Sequence, residues 1–117
     1  MQNIRKYDLE ERTFQFAKDV IEFINTLTKT MANTEIIKQV IRSSGSVGAN
    51  YIEANESLGK KDFTMRIKIC RKEAKETRYW LKLLEVKREL VENKRQILID
   101  EVTQLMKISG AILEKTK

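Results

Sequence analysis

Apolar residues recur at intervals of three and four along four segments of this 117-residue chain. That spacing returns to one face of an α-helix, so each segment predicts an amphipathic helix. The four helices are predicted over about 8–27, 34–58, 61–87 and 93–112, with short polar breaks between them. Four such helices with short connections favour an all-α antiparallel up-down-up-down four-helix bundle, with residues 1–117 forming a single domain.

Residues with capping potential mark the predicted helix ends. Asp8, with Glu11 three residues later, matches an acidic form of the capping box that begins many helices. Asn93 and Gln96 repeat this spacing at the start of the fourth segment. Gly59 suits the end of the second helix, because glycine often occupies the position that follows a helix.

Each predicted helix has a line of residues at helical spacing that we expect to face the core. The second helix has the broadest apolar face, since Ile36, Val40, Val47, Tyr51 and Ala54 lie beside its line. The predicted core-facing residues are Thr13, Phe16, Val20, Phe23, Ile24 and Leu27 in the first helix, Ile37, Ile41, Ser44, Gly48, Ile52 and Asn55 in the second, Phe63, Ile67, Cys70, Ala74, Thr77, Leu81 and Leu84 in the third, and Leu98, Val102, Leu105, Ile108 and Ile112 in the fourth.

Local propensity and periodicity disagree at residues 43–50, whose sequence is SSGSVGAN. Two glycines and three serines favour a loop. The helical spacing nevertheless continues from Ile41 to Ile52, which favours an unbroken helix whose small residues let another helix approach closely. The alternative is an anion-binding loop, because glycine-rich backbone amides bind phosphate. A Walker-type loop also needs a preceding strand and a Gly-Lys-Ser/Thr sequence, and this patch has neither, so close packing is the favoured interpretation.

The composition fits a helical protein of the cytoplasm. The chain has no proline, which would break helices, and 34% of its residues are charged. Cys70 is the only cysteine, which excludes an intramolecular disulfide and fits a reducing compartment. No apolar run approaches the roughly 20 residues of a membrane span, and the first residues lack the apolar stretch of a signal peptide. We therefore expect a cytoplasmic protein that makes no membrane contact.

Positive charge is concentrated in one part of the chain. The net charge is +6, and residues 60–88 contain eleven Lys and Arg against four Asp and Glu, while the rest of the chain sums to −1. Five basic residues of this segment each follow a core-facing position by one residue, so they lie along one side of the third helix. These five residues, which we call the basic stripe, are Lys68, Arg71, Lys75, Arg78 and Lys82.

Two interpretations of the basic stripe stay open. Like charges three and four residues apart on a helix repel one another, so something is expected to offset the repulsion. One interpretation is a surface for the phosphates of RNA or DNA, with Tyr79 close enough to stack on a base. The other is an ordinary solvated face, tempered by local glutamates or by acidic residues of an adjacent helix or subunit.

The opposite flank of the third helix carries two large apolar residues outside the core line. Trp80 and Leu83 extend the apolar face beyond what a four-helix core requires. A large aromatic residue beside a leucine predicts an interface between subunits. The alternative is that Trp80 covers the end of the monomer's own core.

Residue types suited to catalysis or metal binding are sparse. Paired carboxylates on two helices, at Glu53 and Glu56 and at Glu73 and Glu76, suggest a di-iron bundle, but such sites also use Glu-x-x-His and the chain has no histidine. Without histidine the usual base near neutral pH is missing, and Cys70 is expected to be a buried, unreactive thiol with a raised pKa. We therefore expect no catalytic residue, metal or cofactor. The glutamates are better explained by ion pairs, with three candidate partners: Arg42, Arg66 and Arg78.

The middle of the chain carries a longer motif, R-S-x-x-S-(I/V)-x-A-N-x-x-E-A, followed by D-F and then by K-E-A-x-E-T-x-Y-W-L. In this it resembles the four-helix-bundle proteins encoded in intervening sequences of bacterial 23S ribosomal RNA genes. The resemblance implies a four-helix bundle, a cytoplasmic homo-oligomer such as a pentameric ring, and no known enzymatic activity. A related accessory protein of diversity-generating retroelements pairs with a reverse transcriptase and binds nucleic acid. The matching positions are Arg42, Ser43, Ser46, Val47, Ala49, Asn50, Glu53, Ala54, Asp62, Phe63, Lys72, Glu73, Ala74, Glu76, Thr77, Tyr79, Trp80 and Leu81.

The expectation from the sequence is thus a non-enzymatic, homo-oligomeric helical bundle that associates with RNA through the basic stripe. The alternative is a protein adaptor or scaffold, with a reverse transcriptase as one conceivable partner, that binds no nucleic acid.

Overall fold

The protein is described by a computed structural model that covers the backbone of residues 6–117 and the side chains of residues 8–117. Four helices account for most of this part: α1 (Lys6–Ile24), α2 (Met31–Asn55), α3 (Lys60–Leu83) and α4 (Glu89–Lys115). The all-α class and the four helices predicted from the sequence are confirmed.

The helices occupy the four corners of a bundle. α2 packs against α1 and α3, and α4 packs against α3 and α1. Each helix contributes a fully buried side chain to one shared apolar core, for example Val20, Val47, Ile67 and Val102. Within residues 6–117, none of the helices combines the length and the apolar character needed to cross a bilayer.

The small-residue patch at 43–50 is helical throughout, so the predicted unbroken helix is confirmed. Gly48 is buried against α1, and a Cβ atom added there would lie only 2.8 Å from Thr13 Oγ1. On the side facing α3, the hydroxyls of Ser43 and Thr77 lie 2.8 Å apart, and both residues are fully buried. Gly45 differs, because nothing lies within 4 Å of a Cβ built there.

The predicted core line of α2 is wrong at two positions. Ile41 and Ile52 were expected to face the core, but they are 48% and 45% exposed. The apolar arc of α2 is so wide that periodicity alone does not identify the side that faces the other helices. The side that is buried carries Val40, Ser43, Ser44, Val47, Gly48, Tyr51 and Ala54.

The start of α2 is fixed by two polar side chains. Thr30 is the N-cap, and its Oγ1 accepts a hydrogen bond from the backbone N–H of Asn33 at 3.0 Å. Asn33 is fully buried: its Nδ2 donates to the carbonyl oxygens of Thr28 and Glu85, and its Oδ1 accepts from the Glu85 N–H at 2.8 Å. The helix therefore begins earlier than Thr34, the residue near which it was predicted to begin.

The other predicted capping signals are wrong. Asp8 lies within α1, and α4 begins at Glu89, so Asn93 and Gln96 lie inside that helix. Gly59 is the N-cap of α3 and has extended backbone angles, whereas the C-cap of α2 is Glu56.

The end of α3 is set by a contact with α4. Arg95 Nη1 donates to the carbonyl oxygen of Leu84 at 2.6 Å and to that of Leu81 at 3.3 Å. The last carbonyl groups of a helix lack partners within it, and the guanidinium of Arg95 supplies one. α3 consequently ends at Leu83 instead of continuing toward residue 87 as predicted.

Candidate nucleic-acid interface

The basic stripe lies on the outer surface of α3, on the side that borders α4. Lys68, Arg71, Lys75 and Lys82 are exposed, and Arg78 is half-buried. At a rise of 1.5 Å per residue, the stripe is about 21 Å long. The structure therefore brings the five predicted residues onto one continuous surface.

Arg78 is the most constrained residue of the basic stripe. Its Nη1 donates to Thr103 Oγ1 of α4 at 3.3 Å, and that hydroxyl in turn donates to the Ile99 carbonyl oxygen at 2.7 Å. A hydroxyl carries no charge, so this contact orients the guanidinium without neutralising it.

The two glutamates of α3 form ion pairs with residues outside the basic stripe. Arg42 of α2 lies 3.2 Å from Glu73 and 3.0 Å from Glu76, and Lys72 lies 3.9 Å from Glu76. The predicted ion pairing of these glutamates is confirmed for Arg42. Arg66 instead donates to the Asn50 side chain at 3.2 Å.

Glu73 explains why the pairing with Arg42 matters. The residue is buried, with 7% of its surface exposed, and a charge in such a site is costly unless a partner compensates it. The contact to Arg42 Nη1 is close enough for an ion pair, although its geometry does not make a hydrogen bond at Glu73 Oε1. Arg42 is therefore the compensating charge for a buried carboxylate.

The ion pairs formed among residues 8–117 do not include any residue of the basic stripe. Direct ion pairs within this part of the chain therefore do not offset the repulsion among its positive charges, although Glu76 lines a groove with Lys68, Arg71 and Lys75.

Two shallow open grooves adjoin the basic stripe. One lies between α3 and the end of α4, and the other lies at the start of α3, with Lys68 bordering both. Three further lysines line these grooves that were not predicted as site residues: Lys60, Lys61 and Lys72. The excess of positive charge over the whole of residues 60–88 is the sequence signal that could have identified these three lysines.

Tyr79 is placed among the basic residues of the outer surface. It is 58% exposed and follows Lys75 by four residues and precedes Lys82 by three, so all three lie close on the helix surface. Its ring meets the Trp80 ring edge-on, with centroids 5.1 Å apart and an interplanar angle of 75°. An exposed, oriented aromatic ring beside cations has the properties of a base-stacking site.

The two predicted interface residues differ in burial. Trp80 is half-buried and packs against the core cluster, as expected if it covers part of the monomer's own core. Leu83 is 45% exposed. The subunit interface at these two residues stays a prediction.

Cys70 and the clusters of acidic side chains are the remaining candidates for chemistry. Cys70 is 3% exposed; burial raises the pKa of its thiol, and a contact with Ser109 Oγ at 3.6 Å partly opposes that rise. The expected buried thiol with a raised pKa is thus confirmed. Among the side chains of residues 8–117, no three Cys, Asp or Glu residues gather in a way that would hold a metal ion.

Known proteins that are similar to this chain agree with the fold. Residues 5–111 match the model of the 23S rRNA-intervening sequence protein family. A crystal structure of a protein of unknown function from the S23 ribosomal protein family of Bacteroides thetaiotaomicron VPI-5482 has a TM-score of 0.78 at 28% sequence identity, and the likeness covers 93% of this chain and 97% of that one. No curated protein matches the sequence. The family match extends over most of the chain and confirms the resemblance carried by the motif: the protein belongs to the 23S rRNA-intervening sequence protein family.

Proposed function

We propose that this protein is a non-enzymatic, homo-oligomeric helical bundle of the cytoplasm that binds RNA through the basic stripe. The observation that carries the proposal is that no residue of the stripe forms an ion pair among residues 8–117, while the glutamates of α3 pair with Arg42 and Lys72.

The proposal includes an antiparallel up-down-up-down order within a single domain. Contacts between successive helices support this order, because each joins the beginning of one helix to the end of its neighbour. Asn55 of α2 donates to Glu10 of α1 at 2.8 Å. Asn33 at the start of α2 contacts Glu85, just beyond the end of α3, and Arg95 near the start of α4 contacts that same end.

A polyanion fits the basic stripe better than a single acidic side chain does. Four neighbouring pairs of like charge, each costing about 0.2–0.5 kcal/mol, follow one another along the helix. A nucleic-acid strand would offset all of them at once and would release its own condensed counterions on binding. Tyr79 adds a ring on which an unpaired base can stack, which favours single-stranded over double-stranded RNA.

Assembly would strengthen the effect of the basic stripe. We propose a homo-oligomer, a ring of five in the simplest case, whose interface includes Trp80 and Leu83 on the flank of α3 away from the stripe. A ring would repeat the stripe once per subunit and raise the local positive potential. Leu83→Ser is the cleaner test of this interface than Trp80→Ala, because Trp80 also packs on the monomer core. The expected result is a smaller assembly by light scattering; an unchanged mass would contradict this interface.

RNA binding is tested by fluorescence anisotropy with labelled single-stranded RNA at several salt concentrations. If about five phosphates are engaged, log K against log salt should have a slope near −3.5. The double variant Arg71→Glu, Lys75→Glu should weaken binding by more than tenfold and flatten that slope. The matched control is Lys18→Glu, Lys94→Glu, which makes the same change in net charge on exposed parts of α1 and α4.

Three results would contradict the proposal. These are the absence of binding by the unaltered protein, binding that does not respond to salt, and an equal loss of affinity in the control variant. The first result would leave a protein adaptor without nucleic-acid binding as the function to pursue, with the charge reversals then expected to leave partner capture intact.

A further inference from the structure

One face of the bundle carries exposed apolar side chains, one of which, Phe14, has Lys18 Nζ 5.7 Å from the centroid of its ring. On α1, Phe14 and Ile21 are 62% and 51% exposed, and on α2, Ile41 and Ile52 are 48% and 45% exposed. Gly45 lies between the two isoleucines and has open space where a side chain would stand. We call these five residues the α1/α2 face. Exposed apolar side chains gathered on one face commonly mark an interaction site.

The two halves of the α1/α2 face adjoin one another. Glu10 of α1 contacts Asn55 of α2, and Thr13 of α1 touches Gly48 of α2. Phe14 and Ile21 follow Glu10 by four and eleven residues, so all three lie on the same side of α1. The two isoleucines precede Asn55 by fourteen and three residues, which places them on the adjoining side of α2.

The outer surface of α2 is nearly symmetric about its midpoint. Lys38 and Glu56 each lie nine residues from Val47, and Gly45 and Ala49 each lie two residues from it. The two exposed isoleucines lie six residues before and five residues after the same point. If two copies of this helix pack antiparallel, Lys38 of each copy therefore meets Glu56 of the other, and each isoleucine lies within one residue of an isoleucine.

We propose that the α1/α2 face binds the same face of a second copy of this chain, with the two α2 helices antiparallel about a two-fold axis near Val47. Lys38 of one copy then faces Glu56 of the other, twice per pair. An isologous contact of this kind is the commonest in symmetric oligomers. Gly45 and Ala49 have little or no side chain, so the two helices can approach closely at the centre.

The whole outer surface of the two helices approaches the area of a standard contact. At 1.5 Å per residue and a width near 10 Å, the described lengths of α1 and α2 present roughly 650 Å² of outer surface. A standard interface takes ~800 Å² from each partner. The existing ion pair of Lys38 with Glu35, at 3.1 Å, joins two exposed side chains and is too weak to compete strongly with a new partner.

This contact is separate from the proposed interface at Leu83 and does not depend on RNA binding. If the protein forms rings, the contact joins two rings; if it does not, the contact joins two chains. In either case the unaltered protein should show a concentration-dependent mass that reaches twice that of the Gly45→Leu variant by sedimentation.

Charge exchange provides the sharpest test. Lys38→Glu and Glu56→Lys should each weaken the self-association by about tenfold, because each places like charges together at both ends of the contact. The double variant should recover affinity to within about threefold of the unaltered protein. Lys38→Glu and the double variant both lack the ion pair of residue 38 with Glu35. A loss of affinity caused by that local pair would therefore persist in the double variant.

Gly45→Leu tests the close approach without harming the fold, since the site is open in the single chain. At a protein concentration too low for self-association its thermal midpoint should not fall, whereas at high concentration the doubled mass should disappear. The proposal is overturned if the unaltered protein shows no doubled mass at 100 µM, if Gly45→Leu leaves that mass intact, or if the double charge variant fails to recover. RNA binding, measured separately by anisotropy, distinguishes failure here from failure of the proposed function.

Discussion

Two glycines of α2, three residues apart, are predicted to respond in opposite directions to the same substitution. Replacing glycine by alanine inside a helix stabilises it by about 1 kcal/mol, because glycine loses more backbone freedom on folding. At Gly45 the added methyl group meets no atom within 4 Å. At Gly48 it would lie 2.8 Å from Thr13 Oγ1 and 3.2 Å from Thr13 Cβ, both too short for an ordinary contact.

The cost at Gly48 follows from how tightly Thr13 is held. Thr13 is 2% exposed, and its hydroxyl lies 2.9 Å and 3.0 Å from the carbonyl oxygens of Leu9 and Glu10. The side chain is short and cannot swing away, so the two helices would have to separate. Overpacking of this kind costs about 1–3 kcal/mol. Gly45→Ala should therefore raise the free energy of unfolding by about 1 kcal/mol, whereas Gly48→Ala should lower it by up to about 2 kcal/mol.

Urea unfolding followed by circular dichroism, at a protein concentration low enough to limit self-association, gives both values. The helix-propensity gain is the same in the two variants, so their difference isolates the clash with Thr13. Adding Thr13→Ala to Gly48→Ala removes the nearest atom, and a double-mutant cycle should show favourable coupling of at least 0.5 kcal/mol, roughly the smallest value typical of contacting residues. Equal stabilisation by the two alanines would refute the reasoning, as would the absence of coupling.

Three further predictions concern buried polar groups. Asn33→Ala should lower the free energy of unfolding by about 2–3 kcal/mol in urea unfolding, because it leaves the N–H and carbonyl of Glu85 without partners. Arg42→Met should cost about 1–3 kcal/mol by the same measurement, and adding Glu73→Gln should recover part of the loss, since the uncompensated charge is then gone. Because the pKa of Cys70 is raised in the folded protein, the unfolded chain loses the thiol proton at a lower pH. The contribution of Cys70 to the free energy of unfolding is therefore complete below the ordinary pKa of 9.0 and falls above it, by up to about 1.4 kcal/mol per pH unit. Urea unfolding at several pH values should show a smaller fall in the free energy of unfolding for Cys70→Ala than for the unaltered protein.

The sequence was sufficient to predict which residues face the core in a helix whose apolar positions form one narrow line. In α3 the predicted core residues Ile67, Cys70, Ala74, Thr77 and Leu81 are all buried. The polar residues on either side of that line leave a single way to turn the helix toward its neighbours. The basic stripe could be located for the same reason, because its position was measured from a core line that is correct.

The same reasoning failed where two faces of a helix are apolar. α2 has isoleucines on its outer side as well as valines and Tyr51 on its inner side, so several rotations satisfy the periodicity equally well. The choice between them is made by contacts at small residues, such as Gly48 with Thr13 and Ser43 with Thr77. Those contacts join residues 34 or more positions apart, and a local pattern carries no record of them.

The prediction of helix ends failed for a related reason. Asn93 and Gln96 have the right spacing for a capping box, yet α4 begins four residues earlier at Glu89. Its N-cap, Arg88, makes no side-chain capping hydrogen bond. The buried Val91 is one reason for the earlier start, since it reaches the core only if the helix has already begun. Tertiary packing thus prevails over a capping preference worth about 1 kcal/mol.

The positive surface of α3 is a consequence of how its acidic residues are used in folding. Residues 60–88 contain four acidic residues. Glu73 and Glu76 pair with Arg42, Glu85 accepts a hydrogen bond from Thr30 at 3.1 Å, and Asp62 lies in the first turn of α3, where a negative charge favours the helix.

Each of these carboxylates thus has a partner or a favourable site in the fold, although Asp62 and Glu76 also line the grooves that adjoin the basic stripe. Glu73 and Glu76 pair with Arg42 on the side of α3 that borders α2. The basic stripe lies on the side that borders α4, where Arg78 contacts Thr103. Folding therefore pairs these two glutamates with Arg42 and leaves the basic stripe without an ion pair among residues 8–117. A mutation of Arg42 should destabilise the bundle without changing its affinity for RNA once folded, whereas reversal at Arg71 and Lys75 should reduce that affinity without lowering stability.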